Sequence, residues 1–377
     1  MCISARVYAA YDPSDPFITY VEFGLKTDSN VFGIGSVTPT TFSGRKDTLV
    51  FDSAAGLHYD YTASRQHFLV DADVYRTDFQ KFSQVNYNGW HKSGTWNWAA
   101  GDQVLGSLKY ADNRDLTEFN QLSLGQGDIT RQRAWDWSST YSMNAGLAFL
   151  LNADRQFFRH NQLNYLDANA NTYGVGLAWT SNKGTSIILR DDFLKVDYQQ
   201  DLLFLSAADR GYKLSAPAIE LIEPITDALK FDTNLARATT TQNVSQSKGA
   251  TVIWGTSATW QATGKTKLIA NYQRRFSPLG ADTSNTLTTT RSIEYSWQYS
   301  EKLSLDIQHY KTDSDYTEFS LGGARQEHIS DYHATADWQL TKAIDIKLYG
   351  DHTTRMSTLA ANAYSRNQAG LKLRLNY

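Results

Sequence analysis

The chain has 377 residues, of which 36 are basic and 39 acidic, and its formal net charge is only −3. The two signs are interspersed and form no basic stripe, so the charge pattern argues against nucleic acid as a partner. Six prolines and an aromatic content of 13% are unlike an ordinary soluble fold, and the lone Cys2 excludes a disulfide within the chain.

The apolar residues are distributed in a way that excludes membrane helices. No stretch approaches the ~18 consecutive apolar residues that such a helix needs, and the best run, 146–151, is ended by Asn152. Backbone exposed to lipid must be fully hydrogen-bonded, so a chain like this can span a membrane only as a closed β-barrel. Abundant aromatics suit that fold, because aromatic girdles line both lipid–water boundaries of outer-membrane barrels.

The first sixteen residues precede the first predicted strand. They lack the charged region and apolar core of a signal peptide, although Val7-Tyr8-Ala9 is similar to the end of a small-residue cleavage site. We expect residues 1–16 to be a residual leader or N-terminal extension, with the signal peptide missing, and residues 17–377 to form one barrel.

The first three predicted strands lie at about 17–27, 49–60 and 66–77. In each of them apolar side chains alternate with polar or charged ones, as in the third strand, where Asp71 and Asp73 oppose valine and alanine. A period of two with one apolar and one charged face indicates a half-exposed β-strand. These strands are therefore predicted to face lipid on one side and water on the other.

The same alternation continues along the chain in pairs of strands joined by short turns. On the charged faces, Lys230 and Asp232 belong to the eleventh strand, Asp331, His333 and Asp337 to the sixteenth, and Lys347 to the seventeenth. Other strands are predicted at about 86–98, 103–111, 133–142, 146–153, 171–180, 185–192, 250–260 and 266–276.

The last predicted strand has the strictest alternation and ends the chain. Leu373, Leu375 and Tyr377 share its apolar face, and Arg374 lies on the opposite face. In outer-membrane barrels the closing strand pairs with the first one. We expect these three residues to close the barrel and to form the terminal signal that the barrel-assembly machinery reads.

Counting these segments gives roughly 18 strands of the length that a tilted membrane strand requires. Long and short connections alternate, which predicts an all-β, transmembrane, antiparallel up-and-down barrel with both termini periplasmic and its long loops extracellular. A soluble propeller would have blade-spaced repeats and strands that are apolar on both faces. In this chain nearly every predicted strand has one charged or polar face. The predicted location is the outer membrane of a Gram-negative bacterium, in contact with its lipid.

A barrel of this size is wide enough for a water-filled channel. Its inward residues carry both charges and many hydroxyls, which suits a hydroxyl-rich solute, and the long loops 112–128 and 191–210 are expected to gate the outer mouth. The alternative is that inward charges only pair across neighbouring strands. The candidate transport residues are Asp71, Asp73, Lys230, Asp232, Asp331, His333, Asp337, Lys347 and Arg374.

Three segments resemble one family of outer-membrane barrels. Residues 21–32 (VEFGLKTDSNVF), 45–52 (RKDTLVFD) and 66–73 (QHFLVDAD), with the Trp- and Tyr-containing strands that follow, are similar to the EpsL-type, exosortase-associated proteins encoded with exopolysaccharide-biosynthesis operons. The resemblance implies export or surface delivery of an extracellular polysaccharide. A polysaccharide chain and periplasmic export components would then be partners, and no catalytic residues are implied.

Two other functions fit the same sequence. A general or oligosaccharide-specific uptake porin would have the same wall. An outer-membrane hydrolase fits less well, because no Gly-x-Ser-x-Gly elbow occurs and alternation separates Ser330 from Asp331 and His333. The set Asp331, His333 and Asp337 could bind a metal, but its members lie in a line along one strand. We therefore expect no catalytic, cofactor or metal site.

Overall fold

The computed structural model describes residues 15–35, 46–117, 127–199, 211–243, 246–277, 286–316, 325–358 and 360–377. Almost all of them lie in β-strands, and no helix among them is long and apolar enough to cross a membrane. Single 3-10 turns occur at Ser83–Val85, Asn144–Gly146, Asn164–Leu166 and Ala360–Asn362.

Eighteen strands form one antiparallel sheet, as the sequence predicts. They are β1 (Phe17–Asp28), β2 (Thr48–Ala63), β3 (Gln66–Phe79), β4 (Tyr87–Ala100), β5 (Val104–Leu116), β6 (Ile129–Ser142), β7 (Leu147–His160), β8 (Ala168–Thr180), β9 (Ser186–Tyr198), β10 (Tyr212–Thr226), β11 (Leu229–Gln242), β12 (Lys248–Thr263), β13 (Thr266–Ser277), β14 (Thr286–Ser300), β15 (Leu303–Tyr316), β16 (Arg325–Thr341), β17 (Ile344–Ser357) and β18 (Tyr364–Asn376).

The sheet closes on itself between β1 and β18. Val21 lies opposite Leu375 and Phe23 opposite Leu373, and the backbones of Thr19 and Tyr377 exchange two hydrogen bonds of 3.1 and 2.8 Å. Closure leaves no unpaired strand edge, which is the condition for a sheet to span lipid. The predicted pairing of the last strand with the first is confirmed.

The outer surface is apolar because alternate residues of each strand point away from the barrel. Phe23 and Val74, for example, are 55% and 59% exposed. A water-soluble protein rarely exposes so continuous an apolar surface, whereas a transmembrane barrel requires it. The two-residue period of the sequence therefore separates the lipid-facing residues from the lumen-facing ones correctly.

Several strands run further than the sequence predicts at the end of the barrel where the longer connections lie, here called the loop rim. β7 continues to His160 instead of ending near residue 153, β9 continues to Tyr198, and β6 already begins at Ile129. Beyond the lipid both faces of a strand meet water, so the alternation that marked the strand disappears while the backbone ladder continues. Of the predicted gating loops, residues 118–126 and 200–210 lie outside the described part of the chain.

Tyrosine rings inside the barrel lie flat over glycines of neighbouring strands. A side chain placed on Gly56 would come within 2.5 Å of the Tyr20 ring, and one on Gly89 within 2.2 Å of Tyr75. The same contact joins Tyr349 to Gly370. The missing side chain gives each ring its space, so these glycines are required by packing rather than by backbone conformation.

Candidate functional site: the barrel lumen

All nine candidate transport residues lie on the lumen side of the wall. Asp71 and Asp73, for instance, alternate with the lipid-facing Val70 and Val74 on β3. The structure groups the candidates into sectors along the wall, and their part in transport stays a prediction.

The first sector adjoins the closure of the barrel, on β16, β17, β18 and β1. Glu22 accepts hydrogen bonds from Lys372 and Arg374, each at 2.9 Å, and Lys347 lies 3.3 Å from Asp337. These residues border a cavity of about 390 Å³ whose lining also includes Asp345 and the turn residues Glu301 and Lys302. Acids and bases are balanced there, and we call Glu22, Asp337, Asp345, Lys347, Lys372 and Arg374 the closure cluster.

The second sector combines aspartates with histidines on β2, β3, β4 and β5. His58 Nδ1 lies 2.6 Å from Asp71, and His91 contacts both Asp73 at 3.2 Å and Asp115 at 3.0 Å. The charges therefore pair across neighbouring strands, as one of the two sequence-based interpretations predicts. Paired charges still present hydrogen-bonding groups to a solute passing along the wall.

The third sector contains Asp331 and His333 and has neither hydrolase nor metal geometry. Both ring nitrogens of His333 are engaged, one by Asp351 and the other by the Thr335 hydroxyl at 2.7 Å. Ser330 lies on the outer face and contacts His309 instead. Among the described residues, no group of three or more His, Cys, Asp or Glu side chains is arranged to hold a metal ion.

Lys230 and Asp232 belong to a fourth sector, on β9, β10 and β11. There Arg190 lies 3.4 Å from both Asp192 and Glu220. A guanidinium shared between two carboxylates leaves this wall with an acidic balance. The lumen consequently has a balanced sector and an acidic one rather than one charged ring.

Next to that sector the inner face of the sheet is apolar and covered, which was not predicted from the sequence. Val196, Tyr212, Leu214 and Ala216 are buried on the inner face of β9 and β10. The available signal was an inverted alternation, because Leu194, Val196 and Leu214 are apolar at inward positions whereas Lys195 and Lys213 point outward. A polar lumen was expected throughout, so this pattern was not interpreted as a lining.

A buried carboxylate fixes the connections at the loop rim. Asp128 is 1% exposed and accepts hydrogen bonds from Thr117 and His160, both at 2.6 Å, and from the backbone N–H of Gln162 at 2.9 Å. Burial raises the pKa of the Asp128 carboxyl, but these hydrogen bonds outweigh burial and hold the pKa at about 2. Asp128 therefore ties the β5–β6 and β7–β8 connections together.

This low pKa predicts an acid-sensitive anchor. Because the folded pKa is depressed, the stability that Asp128 contributes is fully present above about pH 4 and is lost as the pH falls through about 2; we expect a loss of about 2 kcal/mol. Hydrogen exchange of the segment 161–167, corrected for intrinsic rates, should show its protection falling over this range. Asp128→Asn should remove the protection already at neutral pH.

The exposed turn residue Asp102 provides the control for the Asp128 prediction. Its side chain is 99% exposed, so Asp102→Asn should leave exchange in the segment 161–167 unchanged. Wild-type protection in the Asp128→Asn protein at neutral pH would contradict the assigned role.

Comparisons with known proteins support the fold. No family model and no curated protein sequence matches the chain. OpdK from Pseudomonas aeruginosa, solved with vanillate, matches with a TM-score of 0.50 at 11% identity, over 96% of this chain and 99% of that one. A BenF-like porin from Pseudomonas fluorescens Pf-5 matches with a TM-score of 0.49 at 10% identity, over 96% and 98% of the two chains.

The closed 18-stranded wall, its apolar outer face and its charged inner face define the class of protein. It is a transmembrane β-barrel of the outer-membrane type. The outer-membrane location predicted from the sequence is thereby confirmed.

Proposed function

We propose that the protein is a passive channel through which small polar solutes enter across the outer membrane. The observation that carries this proposal is the closure cluster, where three acids and three bases surround a water-accessible cavity on the inner wall. Groups of both signs offer a solute many weak hydrogen bonds and hold it nowhere tightly, which is what conduction requires. OpdK, solved with vanillate, has the same overall fold, so a small solute is a reasonable cargo to test first.

The charge balance of the closure cluster leads to a testable expectation. Lys372→Gln combined with Arg374→Gln leaves three acids against Lys347, so the lumen becomes locally negative. In planar bilayers under a salt gradient, we expect the ratio of cation to anion permeability to rise roughly twofold. Glu22→Gln should shift the ratio in the opposite direction.

Arg65 provides the matched control for this selectivity measurement. It lies in the β2–β3 turn, paired with Asp102 and away from the closure cluster, so Arg65→Gln should leave the reversal potential unchanged. An unchanged reversal potential in the Lys372→Gln, Arg374→Gln protein, with the barrel shown to be folded, would refute a role of the closure cluster in permeation.

Polysaccharide export is the second candidate, and it is supported only by the sequence resemblance to the EpsL-type barrels. It would use the same lumen in the opposite direction. Gene deletion distinguishes the two functions: polysaccharide lost outside the cells and retained in the periplasm would favour export, and unchanged polysaccharide would favour uptake. In both functions we propose that the long loops face the cell exterior and the termini the periplasm.

A further inference from the structure

Six basic side chains point outward, toward the membrane, on four consecutive strands near the loop rim. Residues directly opposite one another on neighbouring strands form a rung of the sheet and share a face. One rung joins Trp90, Arg114, Arg131 and Arg159. The six bases are Lys92, Arg114, Arg131, Arg133, Arg155 and Arg159, and we call them the outer basic cluster.

The cluster is organised around two aromatic rings. Around Trp90, the charged groups of Lys92, Arg114 and Arg131 lie 5.1, 5.2 and 5.4 Å from the ring centroid. These distances are within the range of cation–π attraction, so the Trp90 ring helps to hold three like charges together.

Phe157 is the centre of the second half of the cluster. The guanidinium carbons of Arg133, Arg155 and Arg159 lie 5.3, 4.7 and 5.9 Å from its ring centroid. The same arrangement of three cations around one outward aromatic ring therefore occurs twice on this face, on β4 and on β7.

The positive charge of the cluster is largely uncompensated on this face. Asp112 is the one outward acid on β4 to β7, and it is already bound by Arg131 through two hydrogen bonds of 2.8 and 2.5 Å and by the Trp90 indole at 3.2 Å. Neither Arg133 nor Arg155 forms an ion pair with a carboxylate of the described residues. Asp167, just before β8, adds a second carboxylate that interacts with Arg159. Six bases against two acids leave this face positive.

The position of the cluster relative to the lipid is indicated by the rung of Arg155, its lowest member. Tyr110 and Trp135 point outward there with their ring centroids 4.4 Å apart, and Trp135 is 47% exposed. Aromatic residues of this kind mark the boundary of the hydrocarbon layer. Charges at the centre of the hydrocarbon would be costly, so the outer basic cluster lies at the level of the lipid headgroups.

We infer that the outer basic cluster binds the phosphate groups of a membrane lipid. Arginine is well suited to phosphate because its planar guanidinium donates two parallel hydrogen bonds, and five of the six bases are arginines. A lipid is favoured over a soluble phosphate because the cluster continues the apolar surface that acyl chains cover. With the proposed orientation, on which this inference depends, the ligand is a phosphorylated glycolipid of the outer leaflet.

Native mass spectrometry of the full-length barrel in detergent can test this inference with diphosphoryl and monophosphoryl lipid A as probes. The wild-type protein should bind the diphosphoryl form more tightly, and Arg133→Gln with Arg155→Gln should weaken that binding by about tenfold. Lys195→Gln with Lys213→Gln is the control, because these two bases also point outward near the loop rim but form no cation–π contact with a ring of the described residues. The control should bind like the wild type.

Three results would overturn the inference: equal binding by the wild type and the Arg133→Gln, Arg155→Gln protein, equal weakening in the control, or full displacement of the lipid by equimolar inorganic phosphate. Should the double variant fail to fold, judged by its gel mobility before and after heating, Lys92→Gln at the Trp90 half provides the same test. Bilayer conductance should be unchanged in all these variants, because the cluster faces away from the lumen. The lipid site and the proposed channel function can therefore fail independently.

Discussion

Replacing Gly89 with alanine is expected to destabilise the barrel by about 3 kcal/mol. The new methyl carbon would lie 2.2 Å from the Tyr75 ring and 2.5 Å from the backbone oxygen of Arg114. The ring cannot simply move away, because its hydroxyl donates to that same oxygen at 3.0 Å and contacts Asp115. Urea unfolding in detergent, followed by tryptophan fluorescence, measures the change.

Gly94 is the matched control for the Gly89 prediction, because it lies on the same strand. A methyl group there would have no atom within 4 Å, so Gly94→Ala should change stability by less than about 0.5 kcal/mol. Equal effects of the two substitutions would show that the loss comes from glycine in a strand generally and not from the tyrosine contact.

The second large effect is expected for Glu327→Gln, at about 3 to 5 kcal/mol. Glu327 is 0% exposed and accepts hydrogen bonds of 2.7 and 2.6 Å from Arg355, which is itself 5% exposed. Removing the negative charge deprives a buried guanidinium of this carboxylate. Equilibrium unfolding at neutral pH measures the difference from the wild type.

The exposed pair of Arg76 and Asp78 serves as the comparison for Glu327. Its atoms approach to 2.8 Å, but the side chains are 55% and 39% exposed, so Asp78→Asn should cost at most about 1 kcal/mol. A cost for Glu327→Gln no larger than that of Asp78→Asn would show that the buried pair adds no more than a surface pair.

The fold could be predicted from the sequence because lipid imposes a two-residue period on every strand that it touches. Where lipid ends, the signal ends, so the last residues of β7 up to His160 were predicted as a loop. The faces of Asp71 and Arg374 were predicted correctly for the same reason. Sequence alternation predicts which face of the sheet a side chain occupies but not its position along the barrel axis.

The partners of the site residues could not be predicted because they depend on closure and register. Glu22 meets Lys372 although 350 residues separate them, and no local pattern encodes that contact. The outer basic cluster was missed for a related reason. Arg133 begins a predicted strand and Arg155 falls in a predicted connection, and only the pairing of β6 with β7 places both around Phe157.

The closure between β1 and β18 makes the topology of the barrel circular. Every other pair of neighbouring strands is also adjacent in sequence, so hairpins can form locally and quickly, whereas the last pairing joins segments at opposite ends of the described chain. The entropic cost of closing a loop grows with its length, although slowly. The pairing of β1 with β18 closes the longest loop, so its contacts are expected to form after those of the local hairpins. The final event in folding is therefore expected to be the pairing of β1 with β18, from Val21 opposite Leu375 to the neighbouring residue pairs, after the other strands have paired.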